Sequence, residues 1–123
     1  MTTLAEATLT EAERLALELA VADLRSALGD RLRAVWLYGS RARGEPPQPE
    51  SDVDLLVVLD RRDREATDRV YDALWRAQQT IGVGKVLVST LVYDVERIAQ
   101  RREIGSFFIQ EVDRDKIVLF GEA

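Results

Sequence analysis

The sequence contains no cysteine and no histidine among its 123 residues. The absence of cysteine excludes both a disulfide framework and thiol catalysis. The absence of histidine excludes serine–histidine triads, imidazole general bases and the usual zinc sites. Any chemistry must therefore come from carboxylates, hydroxyls, arginines and lysines, and catalysis by an oxygen-ligated metal ion remains compatible with that set.

Long apolar runs are also missing, since no stretch approaches the length of a membrane-spanning helix. The first residues, Met-Thr-Thr-Leu-Ala-Glu, lack the basic and apolar regions of a secretory signal, so we expect a cytoplasmic location. The 17 basic and 22 acidic side chains give a net charge of −5, which argues against broad nonspecific binding to nucleic acid. The length fits one core, and we expect a single domain over residues 1–123.

The spacing of apolar residues predicts an α/β fold, a mixed sheet with helices mainly on one face. A capping box, Thr10 with Glu13, marks the start of the first helix. Tyr71 and Trp75, four residues apart on the second long helix, are interpreted as core or partner-facing aromatics. The predicted helices cover residues 11–28, 63–81, 95–101 and 106–112, and the predicted strands cover residues 33–38, 51–59, 85–93 and 116–120.

A turn of small residues follows the first predicted strand. Gly39 ends the apolar run, and a glycine there allows the backbone to approach a bulky anion closely. Ser40 is positioned to cap a short helix whose free N–H groups would attract phosphate. Arg41 and Arg43 add positive charge, and each has two interpretations: contact with phosphate, or a structural or solvent-facing ion pair.

A pair of carboxylates, Asp52 and Asp54, opens the second predicted strand. Residues two apart in a strand point to the same face, so both acids would project together. Like charges this close repel each other unless a cation lies between them, and hard oxygen ligands suit Mg²⁺. The pairs Glu11/Glu13, Asp63/Glu65, Asp94/Glu96 and Asp113/Asp115 share this spacing, but they lie on predicted helices or charged loops, so position distinguishes Asp52 and Asp54. The connecting loop at residues 45–50 is interpreted as a polar connector or as a rim over the site.

These residues together resemble the motif of the DNA polymerase β-like nucleotidyltransferase superfamily. The motif is an apolar residue, Gly-Ser, a spacer and Asp-x-Asp within an apolar strand; here the spacer has eleven residues, 41–51. The Gly-Ser-Arg-Ala-Arg-Gly form is similar to the minimal nucleotidyltransferase branch, and the resemblance covers about residues 31–121. It implies the polymerase β-like nucleotidyltransferase fold.

The resemblance also implies a reaction and a set of roles. The reaction is transfer of a nucleoside monophosphate, such as AMP from ATP, to an acceptor, with release of pyrophosphate. Asp52 and Asp54 would be the catalytic residues and would hold Mg²⁺. Gly39, Ser40, Arg41 and Arg43 would form the nucleotide-binding set.

One departure from the family pattern concerns a third carboxylate on a neighbouring strand, which active members commonly carry. The corresponding strand here places Ser89 or Thr90 at that position, and neither hydroxyl is a good base at neutral pH. Asp94 is the nearest acid in sequence, but it is better placed to cap the helix that follows. Catalysis is therefore expected to be weakened or to be completed by a partner.

Proteins of the minimal branch are found with HEPN-family ribonuclease toxins and act as their antitoxins, some by adding AMP to a toxin tyrosine. The resemblance therefore implies an enzyme that modifies a HEPN-type partner. The alternative is a degenerate nucleotide-binding module that neutralises its partner by binding alone, and transfer to a small molecule is a third interpretation. Among Phe107, Phe108 and Ile109 we expect at least two to pack in the core, with the remainder available to a partner. Homo-oligomerisation is left open.

Overall fold

The computed structural model describes residues 7–46, 52–82 and 84–123. Within them, a 3₁₀ turn at Gly29–Arg31 joins the first helix to the first strand. The helices and strands follow in this order: α1 (Glu11–Leu28), β1 (Leu32–Tyr38), α2 (Gly39–Ala42), β2 (Val53–Leu59), α3 (Arg64–Ile81), β3 (Val88–Asp94), α4 (Val95–Glu103), α5 (Phe107–Asp115) and β4 (Ile117–Gly121).

The four strands form one mixed sheet in the order β3-β2-β1-β4. Strand β1 runs antiparallel to both β2 and β4, whereas β2 and β3 are parallel. The parallel pair is joined by the crossover helix α3, as such connections require. Because of these directions, the end of β1 and the beginnings of β2, β3 and β4 meet at one edge of the sheet.

Apolar side chains cover both faces of the sheet. Alternate residues of β1 and β2, such as Val35 and Val57, point towards the long helices α1 and α3 and form the larger core. The intervening residues, such as Trp36 and Leu56, point towards α4 and α5. The expected α/β fold with a mixed sheet is confirmed, and the two long helices share one face as expected. The two short helices cover part of the opposite face, which the sequence had not indicated.

The helix boundaries follow the expected capping chemistry. The Thr10 side chain accepts a hydrogen bond from the Glu13 N–H, and the Glu13 carboxylate accepts one from the Thr10 N–H, so the capping box is present. Asp63 caps α3, and Gly82 follows its last residue. Asp94 accepts a hydrogen bond from the Arg97 N–H and caps α4, as predicted. A side chain that satisfies a free N–H at a helix start stabilises the helix by about 1 kcal/mol.

Several boundaries differ from the sequence prediction. Strand β2 begins at Val53, so Asp52 immediately precedes it instead of lying within it. Strand β3 begins at Val88, three residues later than predicted, after a turn at residues 84–85. The prediction that Ser40 caps a short helix is wrong: Tyr38 is the cap residue of α2, no side chain caps that helix, and Ser40 lies inside it. Most of the loop at residues 45–50 lies outside the described residues, so its two interpretations remain predictions.

In the part of the chain that the structure describes, none of the helices combines the length and the apolar character needed to cross a membrane.

Candidate functional site

Three side chains lie in a row across the sheet edge where β1 ends. Tyr38 is paired with Asp54 across β1 and β2, and Asp54 is paired with Ser89 across β2 and β3. Directly paired residues on neighbouring strands point to the same face. Tyr38, Asp54 and Ser89 therefore project side by side on the face that carries α4 and α5. Thr90, the next residue along, points to the opposite face, where its pairing partner Leu55 belongs to the larger core.

The turn after β1 brings its backbone against Asp54. Gly39 has φ +78°, a left-handed conformation that favours glycine. A Cβ atom at this position would collide with the carboxylate of Asp54, whose Cγ would be only 3.3 Å away. The glycine is thus required both by its backbone angle and by the space beside Asp54. Ser40 follows in α2, next to this close approach.

The two acids of the motif are partly buried beside each other. Burial raises the pKa of the Asp54 carboxyl, the charge of Asp52 raises it further, and the positive charges of Arg41 and Arg43 act in the opposite direction. Within the described residues, neither the Asp52 nor the Asp54 carboxylate forms a hydrogen bond or an ion pair. The net result is a carboxylate whose ionisation is disfavoured, as expected for two acids that share a site without a bound cation.

Arg41 is held underneath this turn by the first helix. Its Nη1 lies 2.6 Å from Glu13 Oε1, and the two side chains are only 6% and 8% exposed. The same nitrogen donates to the Thr8 carbonyl at 3.1 Å. Burial tends to raise the pKa of Glu13, but hydrogen bonds from Arg41 and Thr10 outweigh it, and the pKa is lowered. Of the two interpretations of Arg41, the geometry favours the structural ion pair.

Residues just before α1 also bind the motif turn through the backbone. The Thr8 N–H donates to the Arg41 carbonyl at 3.0 Å. The Thr8 hydroxyl donates to the Glu45 carbonyl at 2.6 Å, and the Glu45 N–H donates to the Ser40 carbonyl at 3.1 Å. The turn that contains Gly39 is therefore fixed from one side by Asp54 and from the other by residues 8–13.

Arg43 is the more accessible of the two arginines in the motif. It forms a hydrogen-bonded ion pair with Glu45 through Nε, and its Nη1 lies 3.7 Å from an Asp115 oxygen. Its side chain remains 40% exposed. Exposed ion pairs of this kind contribute about 1 kcal/mol or less, so the guanidinium can exchange Glu45 for an anionic ligand at little cost.

An aromatic cluster borders the row of site residues. The rings of Tyr38 and Phe108 meet edge to face with 5.6 Å between centroids, and Tyr93 lies 6.5 Å from Phe108. Burial and the nearby Asp54 charge raise the pKa of Tyr38 to about 12, so its hydroxyl keeps its proton. Ile109 is buried and Phe108 packs against the core, whereas Phe107 is 75% exposed, which confirms the expectation that at least two of these residues are core.

A family model described as the nucleotidyltransferase domain matches residues 20–119 of the sequence, and the matched segment includes the row of site residues and the turn. The chain belongs to the nucleotidyltransferase domain family. The resemblance noted in the motif is therefore confirmed at the level of the family. No match was found among curated proteins.

Solved structures with related folds include two mutants of the toxin–antitoxin pair MntA–HpeT. The first is 16% identical over 83% of this chain and 71% of that chain, with a TM-score of 0.50. The second is 18% identical over 85% and 72% of the two chains, with a TM-score of 0.49. A nucleotidyltransferase structure from Sulfolobus solfataricus is 20% identical over 94% and 92%, with a TM-score of 0.40. At these identities, the first similarity shows a shared fold.

Among the described residues, the third carboxylate expected of an active nucleotidyltransferase does not lie beside Asp54. Of the two residues that the sequence placed there, Ser89 shares the face of Asp54 and Thr90 does not. Asp94 lies at the other end of β3, where its carboxylate also accepts the Arg62 N–H at 3.2 Å. Among the described residues, no group of three or more histidine, cysteine, aspartate or glutamate side chains is arranged to hold a metal ion.

Sequence reasoning had not connected Glu13 and Tyr38 with the nucleotidyltransferase site. The sequence assigned Glu13 only to the start of α1, yet its carboxylate also forms an ion pair with Arg41, 28 positions away. The available signal was an arginine in a glycine-rich turn that needed a buried partner, but a single sequence does not show which acid would provide it. Tyr38 was visible as the last residue of an apolar strand, and only the strand pairing brings it beside Asp54.

Proposed function

We propose that this chain is a Mg²⁺-dependent nucleotidyltransferase that transfers AMP from ATP to an acceptor hydroxyl. The observation that supports this most directly is the pair Asp52 and Asp54. Both acids are partly buried, their carboxylates form no ion pair with the described residues, and Asp54 lies against the backbone at Gly39. Burying two like charges is costly unless a ligand compensates them. A metal ion bound with a nucleotide would supply that compensation. Membership in the nucleotidyltransferase domain family supports such a ligand.

The donor set fits Mg²⁺, which prefers carboxylate oxygens and retains several waters or phosphate oxygens of its own. Asp52 and Asp54 would hold the ion from one face of the sheet. When bound, Mg²⁺ would neutralise phosphate charge and help to position the attacking oxygen. Two protein carboxylates are enough for such a site when the nucleotide supplies further ligands.

The remaining residues of the turn would bind and orient the triphosphate. Gly39 would let the turn lie directly against the Asp54 carboxylate, Ser40 would offer its hydroxyl to phosphate, and Arg43 would offer an exchangeable guanidinium. Arg41 would act from below by fixing the turn through Glu13. The acceptor oxygen forms a bond to the α-phosphorus, the bond to the bridging oxygen breaks, and pyrophosphate leaves. The acceptor proton passes to solvent, because Ser89 is not a base at neutral pH.

For the biological role, we propose an antitoxin whose acceptor is a tyrosine of a HEPN-type toxin. The support is the shared fold with structures named as the toxin–antitoxin pair MntA–HpeT, together with the resemblance of the motif to the minimal branch. Ile104, at the end of α4, and Phe107, at the start of α5, are 70% and 75% exposed and would offer apolar contact area to a protein partner.

A second candidate function is neutralisation of the partner by binding alone, with a nucleotide site that no longer transfers. The presence of Ser89 in place of an acid beside Asp54 favours this alternative. Both functions use the same fold and the same partner. They differ in whether removal of the Asp52 and Asp54 charges prevents neutralisation of the partner.

The test is a calorimetric titration of the chain with ATP, with and without Mg²⁺, followed by transfer of labelled AMP to the co-purified partner. We expect binding that depends on Mg²⁺ and is lost in Asp54→Asn, and a transfer rate reduced by about two to three orders of magnitude. Asp68→Asn, at an exposed acid on α3, is the matched control and should behave as wild type.

Transfer that persists in Asp54→Asn would refute the proposed site. Binding without any transfer by wild type, together with neutralisation that is equally good in wild type and Asp54→Asn, would favour the binding-only function.

A further inference from the structure

The two outer strands of the sheet expose very different edges. Strand β3 keeps an unbroken register with β2 over all seven residues, from Val88 to Asp94. Strand β4 has five residues, and its pairing with β1 is interrupted by a register shift. Natural sheets protect their edges with short strands, bulges or charges, because a regular open edge pairs with other strands. Strand β4 follows that pattern and β3 does not, since residues 88–93 carry no charge.

The backbone of β3 presents free hydrogen-bonding groups on its outer side. The Leu87 carbonyl accepts from the Val53 N–H of β2, so the alternate residues Val88, Thr90 and Val92 turn their N–H and C=O groups outward. Side chains of α3 partly satisfy them: Gln78 accepts the Val88 N–H at 3.3 Å, and the Tyr71 hydroxyl lies 3.5 Å from the Thr90 carbonyl. In addition, Thr90 Oγ1 is buried and has no hydrogen-bond partner within the described residues.

Large apolar side chains border this edge. Trp75 is 64% exposed, Leu87 is 57% exposed and Tyr71 is 46% exposed. A recess of about 330 Å³ lies between α3 and β3, and it is lined by Tyr71, Asp72, Leu74, Trp75, Gln78, Val88 and Thr90. Of the two interpretations of Tyr71 and Trp75, the structure therefore favours the partner-facing one. An apolar border next to unpaired backbone is the arrangement that strand addition uses: the backbone supplies hydrogen bonds and the side chains supply buried area.

We propose that β3 is the interface between two copies of this chain, which pair their β3 strands antiparallel about a two-fold axis at Thr90. On that axis, the outward N–H and C=O of each Thr90 exchange two hydrogen bonds with Thr90 of the second copy. The sheet continues across the axis, and the two α3 helices contribute Trp75 and Tyr71 on the same side.

The charges at the ends of β3 favour antiparallel over parallel pairing of two copies of the strand. Lys85 precedes the strand, whereas Asp94 and Glu96 stand at its end. Antiparallel pairing centred on Thr90 brings Lys85 of each copy to the level of Asp94 and Glu96 of the other, and the middle of the strand contains no charge to repel itself. Parallel pairing would instead place like charges together. The edge is thus complementary to itself, as a two-fold interface requires.

The first test is sedimentation velocity of the full chain over a range of concentrations. We expect a monomer–dimer equilibrium in wild type. Trp75→Glu should raise the dissociation constant at least about 30-fold, as for an aromatic at the centre of an interface. Thr90→Pro removes an outward N–H that the monomer does not use for pairing with β2, so it should also abolish the dimer while preserving the monomer. Phe107→Glu, which changes a still more exposed aromatic on the other face, is the control and should leave the dissociation constant unchanged.

The second test locates the interface and uses the absence of cysteine. Thr90→Cys introduces the chain's single thiol at the proposed axis, where paired Cα atoms about 5.5 Å apart fall within disulfide reach. Mild oxidation should yield a covalent dimer of Thr90→Cys at concentrations where Val118→Cys, on the other edge strand, stays monomeric. A wild type that remains monomeric, or a dimer that survives both Trp75→Glu and Thr90→Pro, would overturn the proposal. Equal cross-linking of both cysteine variants, or pairing of the β3 edge with a different protein instead, would overturn it as well.

Discussion

Two pairs of charged side chains lie within this one site, and they are opposite in character. Glu13 and Arg41 form a buried ion pair of opposite charges with an N···O distance of 2.6 Å. Asp52 and Asp54 are like charges, and neither carboxylate forms an ion pair with a described residue. The pKa of Glu13 is lowered and that of Asp54 is raised, so the fold stabilises one carboxylate and destabilises the other.

This contrast distinguishes residues that stabilise the site from residues that we propose bind its ligand. A buried ion pair that is satisfied within the chain needs no ligand, and its role is to keep the motif turn in place. Two adjacent acids whose carboxylates form no ion pair with the described residues present negative charge to an external cation. The same short turn, residues 39–43, touches both pairs, so a change in one is expected to be felt by the other.

The largest effect on stability is expected from breaking the ion pair on one side. Glu13→Ala leaves the Arg41 guanidinium buried without its acid, which should lower the free energy of unfolding by about 3 kcal/mol. Glu13→Gln keeps a hydrogen-bond acceptor for Arg41 and should lose less. Urea denaturation followed by circular dichroism measures both. Equal stability of Glu13→Ala and wild type would show that Arg41 has another partner that suffices.

A smaller effect is expected from adding one methyl group at the turn. Gly39 and Gly84 have nearly the same backbone angle, φ +78° and +77°, but only Gly39 has a neighbour, Asp54, within 4 Å of the added Cβ. Gly84→Ala should therefore report the backbone strain alone, about 1 kcal/mol. Gly39→Ala should lose more, and the excess should largely disappear in the Asp54→Ala background, where the collision is removed. Losses that are equal at the two glycines would contradict the close approach.

The smallest effect is a pair of opposite pH dependences. The pKa of Asp54 is raised in the folded state, so ionisation of this carboxyl opposes folding. Compared with Asp54→Asn, wild type should therefore lose stability as the pH rises from 3.8 through the raised pKa. The pKa of Glu13 is lowered, so its contribution is complete above 4.5 and is lost as the pH falls through the lowered value. Urea denaturation between pH 3 and 7, in EDTA, compares wild type with Asp54→Asn and Glu13→Gln. Differences that move in the same direction with pH would contradict the contrast.

Much of the fold could be predicted because local signals determine it. The capping residues Thr10, Asp63 and Asp94 and the stop at Gly82 fix helix boundaries through hydrogen bonds only a few residues apart. The strands β1 and β2 are runs of apolar residues that must be buried. The start of β3 was misjudged because residues 85–87 are compatible with a strand by composition, and only the pairing with β2 shows that the regular strand begins at Val88.

The site was predictable where its residues are close in sequence and unpredictable where they are not. Gly39 and Asp54 belong to one motif, and the structure places them in contact. The roles of Ser40 and Arg41 in the local structure depend on tertiary contacts: Ser40 lies inside α2 instead of capping it, and Arg41 points to a helix 28 positions earlier. The choice between Ser89 and Thr90 needed the register of two parallel strands, which no periodicity encodes.

The backbone pairing between Thr8 and Arg41 has a consequence for handling the protein. Because Thr8 forms three hydrogen bonds with the motif turn, the residues just before α1 support the proposed nucleotide site, although they contribute no reacting group. A fusion partner or a proteolytic cut that displaces Thr8 would remove these hydrogen bonds and loosen the turn that we propose binds the triphosphate. Tags placed after Gly121 would leave the hydrogen bonds of Thr8 in place.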